Sequence, residues 1–302
     1  MNSTDTTGPP PSSSHGAAWV RERRLQFIEF RLQWDGRLNR SDLVDFFSIS
    51  VPQASLDIAR YMELCPANMV YDRSSKAYIA GDTFKAQFAT SGAKQYLAQL
   101  RALAQEALEP QSTFFGYTPS PVTVPTAQRA VDVAVLKALV RAVAERAKLR
   151  VTYQSITSND PPNRDISPHA FVHDGRRWHV RAYCHLTNDF RDFVIGRLVS
   201  VQRASESPID PGSDADWRTE VELVLVPHPH LSAAQRLAVE ADFSMKKGEA
   251  RLQCRKAMLY YTLRRLDFER DGTPREYPKQ VCLQNLAEIR PMLKKQPSLA
   301  TS

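Results

Sequence analysis

Residues 39–79 read NRSDLVDFFSISVPQASLDIARYMELCPANMVYDRSSKAYI, and the order of signals in this stretch decides the architecture. Asn39 is placed to cap a short helix, Asp42 sits in its first turn where a carboxylate meets the positive end of the helix dipole, and Leu43, Phe46 and Phe47 supply a buried side. Ser50 ahead of Val51-Pro52 is a second start signal, a hydroxyl cap followed by a proline whose missing N–H costs nothing in a first turn. The helix it opens is expected to run to about Leu64, with Leu56, Ala59 and Met62 pointing one way and Gln53, Asp57, Arg60 and Tyr61 lying toward the opposite, polar side. Met69-Val70-Tyr71 and Ala77-Tyr78-Ile79 then flank the basic tip Asp72-Arg73-Ser74-Ser75-Lys76, the pattern of a small hairpin. Two short helices followed by a hairpin spell a winged helix-turn-helix, in which the second helix enters a major groove. Ser50, Gln53, Ser55 and Arg60 are the candidate groove residues, with Gln53 the best base reader, and Arg73 and Lys76 on the wing are candidate phosphate contacts.

Working outward, Leu25, Ile28 and Leu32 share a helical face with Phe27, Phe30 and Trp34 beside it, so a helix precedes the motif and stops at Asp35-Gly36. Residues 1–16, rich in Ser, Thr, Pro and Gly, are read as a tail with too little apolar surface to offset ordering, and folding is expected from Ala17. The DNA-binding domain is placed at 17–109, its last part, Phe84 to Leu108, of helical composition. Prolines 110 to 125 mark a linker, placed at 110–129.

From Ala130 to Leu149 an amphipathic helix is expected on Leu136, Leu139, Val140, Val143 and Ala147. The period then changes to two: Leu149, Val151, Tyr153 and Ser155 share a strand face, Ile166 to Val172 follows, and Asp174-Gly175 signals a hairpin. Trp178, Val180, Ala182 and Cys184 alternate with Arg177, His179, Arg181 and Tyr183, giving one core face and one polar face, and Phe190 to Val201 completes the group. Several short strands in about sixty residues indicate a small barrel, so this domain is placed at 130–207. Residues 208–302 change rhythm again: a strand at Val221 to Val226, a helix opened by the capping box of Ser232 and Gln235, a strand at 251–255, a helix from Met258 to Phe268, then Val281 to Leu283 and a helix near Ala287. The chain is therefore multidomain α+β.

A formal net charge of +7 and a pI near 9.3 favour a polyanionic partner. The cysteines at 65, 184, 254 and 282 form no paired spacing, which argues against a zinc site or disulfide framework and fits a reducing, cytoplasmic location. No signal peptide opens the chain and no apolar run is long enough to span a membrane, so no membrane partner is expected. The common phosphate-loop, dinucleotide, metalloprotease and serine-hydrolase motifs are missing, so a non-enzymatic protein without cofactor or metal is expected; His228-Pro229-His230 reads as a surface loop.

Tyr153 and Ser155, Ser167-Pro168-His169, Arg177-Trp178-His179-Val180-Arg181-Ala182-Tyr183-Cys184, Phe190-Arg191-Asp192-Phe193 and Gly196-Arg197-Leu198 resemble the WYL domain in order and spacing. The naming tripeptide stands here as Trp178-His179-Val180, departing at its second and third positions. With a winged helix-turn-helix before it and an α+β extension after it, the layout resembles the WYL-domain transcriptional regulators of the CapW and BrxR group. That resemblance implies a homodimeric repressor of an anti-phage defence operon, bound to an inverted-repeat double-stranded operator, with an Sm/SH3-like WYL barrel that senses a nucleic-acid or nucleotide ligand and a C-terminal extension that dimerises. It carries over Tyr153, Ser155, His169, Arg191 and Arg197 as ligand-pocket residues. Their chemistry agrees: guanidinium forks suit phosphate oxygens, and Tyr153 can stack on a base. Alternation pairs Tyr153 with Ser155, and Arg191 with Arg197, on shared faces if no bulge intervenes. The alternative from another class is an RNA- or nucleotide-binding Sm-like regulatory protein that makes no operator-specific duplex contact, distinguished by a preference for single-stranded RNA.

Overall fold

The computed structural model describes residues 13–88, 92–125, 130–156, 163–269, 272–273 and 280–293. The chain divides into two compact units, Met1–Thr126 and Ala127–Ser302.

In the first unit α1 (Ser13–Asp35) begins ahead of the expected Ala17, and it buries Leu25, Phe27, Ile28, Phe30 and Leu32. Two adjacent stripes are covered because α2 (Arg40–Phe47) and α3 (Val51–Leu64) pack on it. Between α1 and α2 lies β1 (Arg37–Leu38), which the sequence reading did not foresee. It pairs with β3 (Ala77–Ala80), which pairs with β2 (Met69–Asp72), so the wing is a three-stranded sheet of order β1-β3-β2. Tyr71 and Tyr78 stand opposite each other with ring centroids 5.1 Å apart.

Among the described residues of the next segment, α-helix is confined to α4 (Ala93–Ala104). Residues 84–88 are non-helical because the buried Glu29 carboxylate takes the backbone N–H groups of Gln87 and Phe88, each at 2.6 Å, together with the Tyr61 hydroxyl at 3.2 Å. The segment read as a linker from residue 110 starts inside this unit's core. Phe114 is buried among Phe27, Phe30, Phe46 and Phe47, and the Asp35 carboxylate accepts from the N–H groups of Gly116 and Tyr117. A Cβ at Gly116 would overlap the Arg31 guanidinium, which would have to swing aside to admit one.

The second unit opens with α5 (Val133–Glu145), capped by Asp132, whose carboxylate accepts from the N–H groups of Ala134 and Val135. It ends four residues before Leu149, at a left-handed Arg146. Its buried stripe is Val135, Leu139 and Ala142, whereas Leu136 and Val140, expected inside, are exposed.

A five-stranded antiparallel sheet follows: β4 (Ala147–Tyr153), β5 (Asn163–His173), β6 (Trp178–Cys184), β7 (Asp189–Val194) and β8 (Leu198–Glu206). Its order is β7-β6-β5-β4-β8. Among the described residues β7 and β8 are edges with no ladder joining them, so the closed barrel expected from strand density is an open sheet. The turn Ile195–Arg197 carries the chain from one edge to the other, and the Tyr153 hydroxyl accepts from the Val194 N–H at 3.4 Å.

The remainder comprises α6 (Ala215–Arg218), β9 (Glu220–Pro227), α7 (Ala233–Asp242), β10 (Ala250–Arg255), α8 (Leu259–Arg265), β11 (Val281–Leu283) and α9 (Leu286–Leu293). Its sheet runs β10-β9-β11, with a core of Leu223, Leu225, Leu259, Leu263 and Phe268. Ser232 and Gln235 form the expected capping box. No helix among the described residues is long and apolar enough to cross a membrane.

Candidate nucleic-acid interface and central-sheet pocket

The helix α3 starts where the sequence says, with the Ser50 hydroxyl accepting from the Gln53 N–H at 3.3 Å. Its phase is reversed from expectation. Ala54, Asp57, Ile58 and Tyr61 face the core, while Leu56 is 66% exposed and Ala59 and Met62 are also exposed. The reason is a pair of buried polar anchors. Arg24 of α1 donates from Nε to Asp57 Oδ2 at 2.6 Å and from Nη2 to Oδ1 at 3.3 Å, with both side chains nearly buried. Tyr61 donates to Glu29, and burial raises its phenol well above the ordinary value.

Of the expected groove residues, Ser50 and Arg60 are exposed and Ser55 is half-buried, its hydroxyl donating to the Val51 carbonyl at 2.9 Å. Arg60 pairs with Glu63 at 3.0 Å. Gln53 is half-buried, and its Nε2 donates to Asp57 Oδ2 at 3.2 Å, so part of its amide is already engaged. At the wing tip Arg73 and Lys76 are exposed. The tip is shaped by Asp72, which accepts from the N–H and hydroxyl groups of Ser74 and Ser75; those bonds hold its carboxyl down at about 2. Sequence reasoning missed the outward row Pro52, Leu56 and Ala59, because it assigned apolar residues to the core; helical spacing from Asp57 and Tyr61 would have found it only if their buried partners had been known.

In the central sheet the five expected pocket residues divide between faces. Arg191 stands opposite Ala182 on the face that carries Val180, Cys184 and Phe193, and Tyr153 lies in that same core at 2% exposed. The Tyr153 ring meets Phe193 edge-on at 5.1 Å and lies under the Arg164 guanidinium at 5.7 Å. Ser155 is buried just beyond the end of β4. The Nε of Arg191 is buried with no hydrogen-bond partner. Arg197 is half-buried in the turn after β7, where strand alternation from Arg191 no longer applies.

His169 occupies the irregularity between Pro168 and Ala170 and turns to the other face. There its Nε2 lies 3.1 Å from Asp214 Oδ2, and its ring is edge-on to Phe190 and Trp217. Arg181 binds the same carboxylate through Nε at 2.8 Å and Nη2 at 3.0 Å, and reaches Asp192 through Nη1 at 3.3 Å; Tyr261 donates to Asp192 at 3.3 Å. Burial pushes the Asp192 carboxyl up despite Arg181. At Asp214 burial is outweighed by the bonds from His169 and Arg181, which hold it below the usual carboxylate range. The face of β6 read as polar is covered: His179 is fully buried against Tyr261, and its imidazole is pushed down to about 4, chiefly by burial.

Two cavities bordered by described residues bear on this unit. One, about 10 Å³, is bordered by Arg146, Ser167, Pro168, His169, Phe190 and Ser207, and is no larger than one water molecule requires. The other, about 250 Å³, lies between the 174–176 hairpin and α8, with Arg176, Arg264 and Arg265 on its walls. Among the described residues no group of three or more His, Cys, Asp or Glu side chains is arranged to hold a metal.

Three family descriptions match successive parts of the chain: the BrxR transcriptional regulator winged helix-turn-helix domain over residues 21–102, the WYL domain over 134–203, and the BrxR transcriptional regulator C-terminal dimerization domain over 220–289. The chain is 46% identical over 259 residues to a DNA-binding transcriptional repressor CapW of Stenotrophomonas maltophilia, covering 85% of this chain and 87% of that one. It is 41% identical over 286 residues to the CapW repressor of Pseudomonas aeruginosa, covering 94% and 96%. It is 40% identical over 283 residues to that of Escherichia coli strain KTE188, covering 92% and 94%.

Proposed function

The chain belongs to the CapW and BrxR group of WYL-domain transcriptional regulators, and from that premise we propose that it is a homodimeric, sequence-specific DNA-binding repressor whose WYL domain responds to a ligand. The observation that carries the reading is α3: it is clamped from inside by the Arg24–Asp57 pair, so its outward face stands clear beside a wing tip with Arg73 and Lys76 exposed. A helix held rigidly by its buried side presents base-reading groups without an ordering cost at the moment of binding. Ser50, Ser55 and Arg60 approach the groove, Gln53 contributes what its bond to Asp57 leaves free, and the wing neutralises phosphates. The segment matching the dimerization domain joins two copies, and two-fold symmetry calls for an inverted-repeat operator. The operon governed is an anti-phage defence operon, and the protein works in the cytoplasm by binding rather than catalysis.

The effector is a nucleotide or short nucleic acid recognised by the WYL domain. Arg191 supports this, because a buried guanidinium Nε without a partner is a donor open to an acceptor. Tyr153, Ser155, His169 and Arg197 complete the set in the altered arrangement that effector binding selects, since only a ligand preferring one of two states moves DNA binding.

The test is binding of the purified protein to the duplex upstream of its own gene, against scrambled duplex and single-stranded DNA and RNA, across a salt series. Tight, dimeric, duplex-specific binding supports the repressor; preference for single strands makes the central sheet the primary nucleic-acid site instead. Arg191→Ala is expected to keep operator binding while losing release by the effector, and release that persists in this variant removes Arg191 from the site.

A further inference from the structure

The outward face of α3 carries an apolar row in its first turns, where a groove-reading helix would be expected to be polar, and the row gives way to the exposed Glu63 one turn after Ala59. Asp57 and Tyr61 set the phase, and the direction opposite them is occupied by Pro52, Leu56 and Ala59 on successive turns, all exposed. Leu56 stands in the middle of this row, 66% exposed, one turn in from the helix start. Ser55 and Arg60 flank it, and Gln53 is drawn aside toward Asp57. An isolated exposed leucine needs no explanation, but a row of apolar groups on the solvent face of this particular helix does.

The duplex offers one apolar group in its major groove, the 5-methyl of thymine, and small or branched aliphatic side chains recognise it by contact. The first turns of a recognition helix are the part that reaches base edges. Continuity with the basic wing and the hydroxyl-capped start of α3 makes duplex DNA, rather than a protein groove, the surface this row meets. We propose that Leu56 is a specificity-determining residue that reads thymine methyl groups in each operator half-site, with Pro52 and Ala59 closing the apolar row above and below it. The proposal rests on the reading of α3 as the groove helix and adds what that helix selects.

The experiment replaces every thymine of the upstream duplex by deoxyuridine, which removes the methyl and leaves base pairing intact. Affinities of the full-length protein and of Leu56→Ala and Leu56→Met are then measured on both duplexes. One buried methyl corresponds to about fourfold in affinity, so a dimer engaging one methyl per half-site loses roughly fifteenfold on the deoxyuridine duplex. Leu56→Ala, exposed and therefore free to fold, is expected to bind both duplexes nearly equally, and Leu56→Met to keep most of the difference. A wild-type protein indifferent to the methyl overturns the proposal, as does a penalty that is unchanged in Leu56→Ala. Binding no tighter than to scrambled duplex overturns operator recognition itself, and this assignment with it.

Discussion

Arg181 and Asp214 meet fork to fork, Nε to Oδ2 at 2.8 Å and Nη2 to Oδ1 at 3.0 Å, and their side chains are 7% and 2% exposed. A bidentate pair at this depth leaves an uncompensated charge when one partner is removed. Asp214→Ala takes the partner from His169 and leaves Arg181 only its single bond to Asp192, and we expect it to lower unfolding free energy by about 3–5 kcal/mol in urea titration. The double variant Arg181→Met, Asp214→Leu should cost much less. A single variant within about 1 kcal/mol of wild type would show that the pair contributes no more than a surface bridge.

His179 makes stability depend on pH. Its folded value of about 4 lies below the ordinary 6.5, so between these values the unfolded chain binds more protons and stability falls as pH drops through the window. This contribution is fully present above pH 6.5 and is lost as pH falls toward 4. His179→Leu should flatten this part of the curve, as followed by denaturant midpoints at half-unit pH steps. A variant with the same acid slope would place the titration elsewhere.

Glu29 organises the segment after the wing through three acceptor bonds, two of them from backbone N–H groups. Glu29→Ala leaves those donors unmatched beside the core, at roughly 2–4 kcal/mol. Amide exchange should accelerate first at Gln87 and Phe88. Uniform acceleration across the first unit would instead mean that Glu29 acts only through global stability.

Lys76 has a left-handed backbone, so its charge is best removed with asparagine, which tolerates that conformation. Lys76→Asn should weaken binding to operator and scrambled duplex alike and lower the salt slope by about two for a dimer. A loss confined to the operator would identify a base contact rather than a phosphate contact.

Local signals were the legible part of this chain. Ser50-Pro52, the Ser232 and Gln235 box, the alternation of Leu149, Val151, Tyr153 and Ser155, and the left-handed Gly175 of the Asp174-Gly175 turn all stand where spacing puts them. What escaped depends on partners distant in sequence. The period of α3 was readable but its phase was not, because Asp57 and Tyr61 count as polar until Arg24 and Glu29 are known to meet them. The same holds for His179 and Arg181, buried by residues 192, 214 and 261. Phe114 looked like linker because prolines surround it, and only its aromatic neighbours reveal it as core. Sheet closure was illegible for another reason: strand count and length are common to open and closed sheets.

With Gly116 and Tyr117 moored on Asp35 and Phe114 sunk beside Phe27, the bonds of this segment to α1 extend as far as Tyr117, so the packing of the first unit reaches past Pro110 and takes in residues 114–117. Helix α1 thus holds two distant parts of the unit at once: Asp35 at its end fixes Gly116 and Tyr117, and Arg24 further back fixes Asp57 of α3.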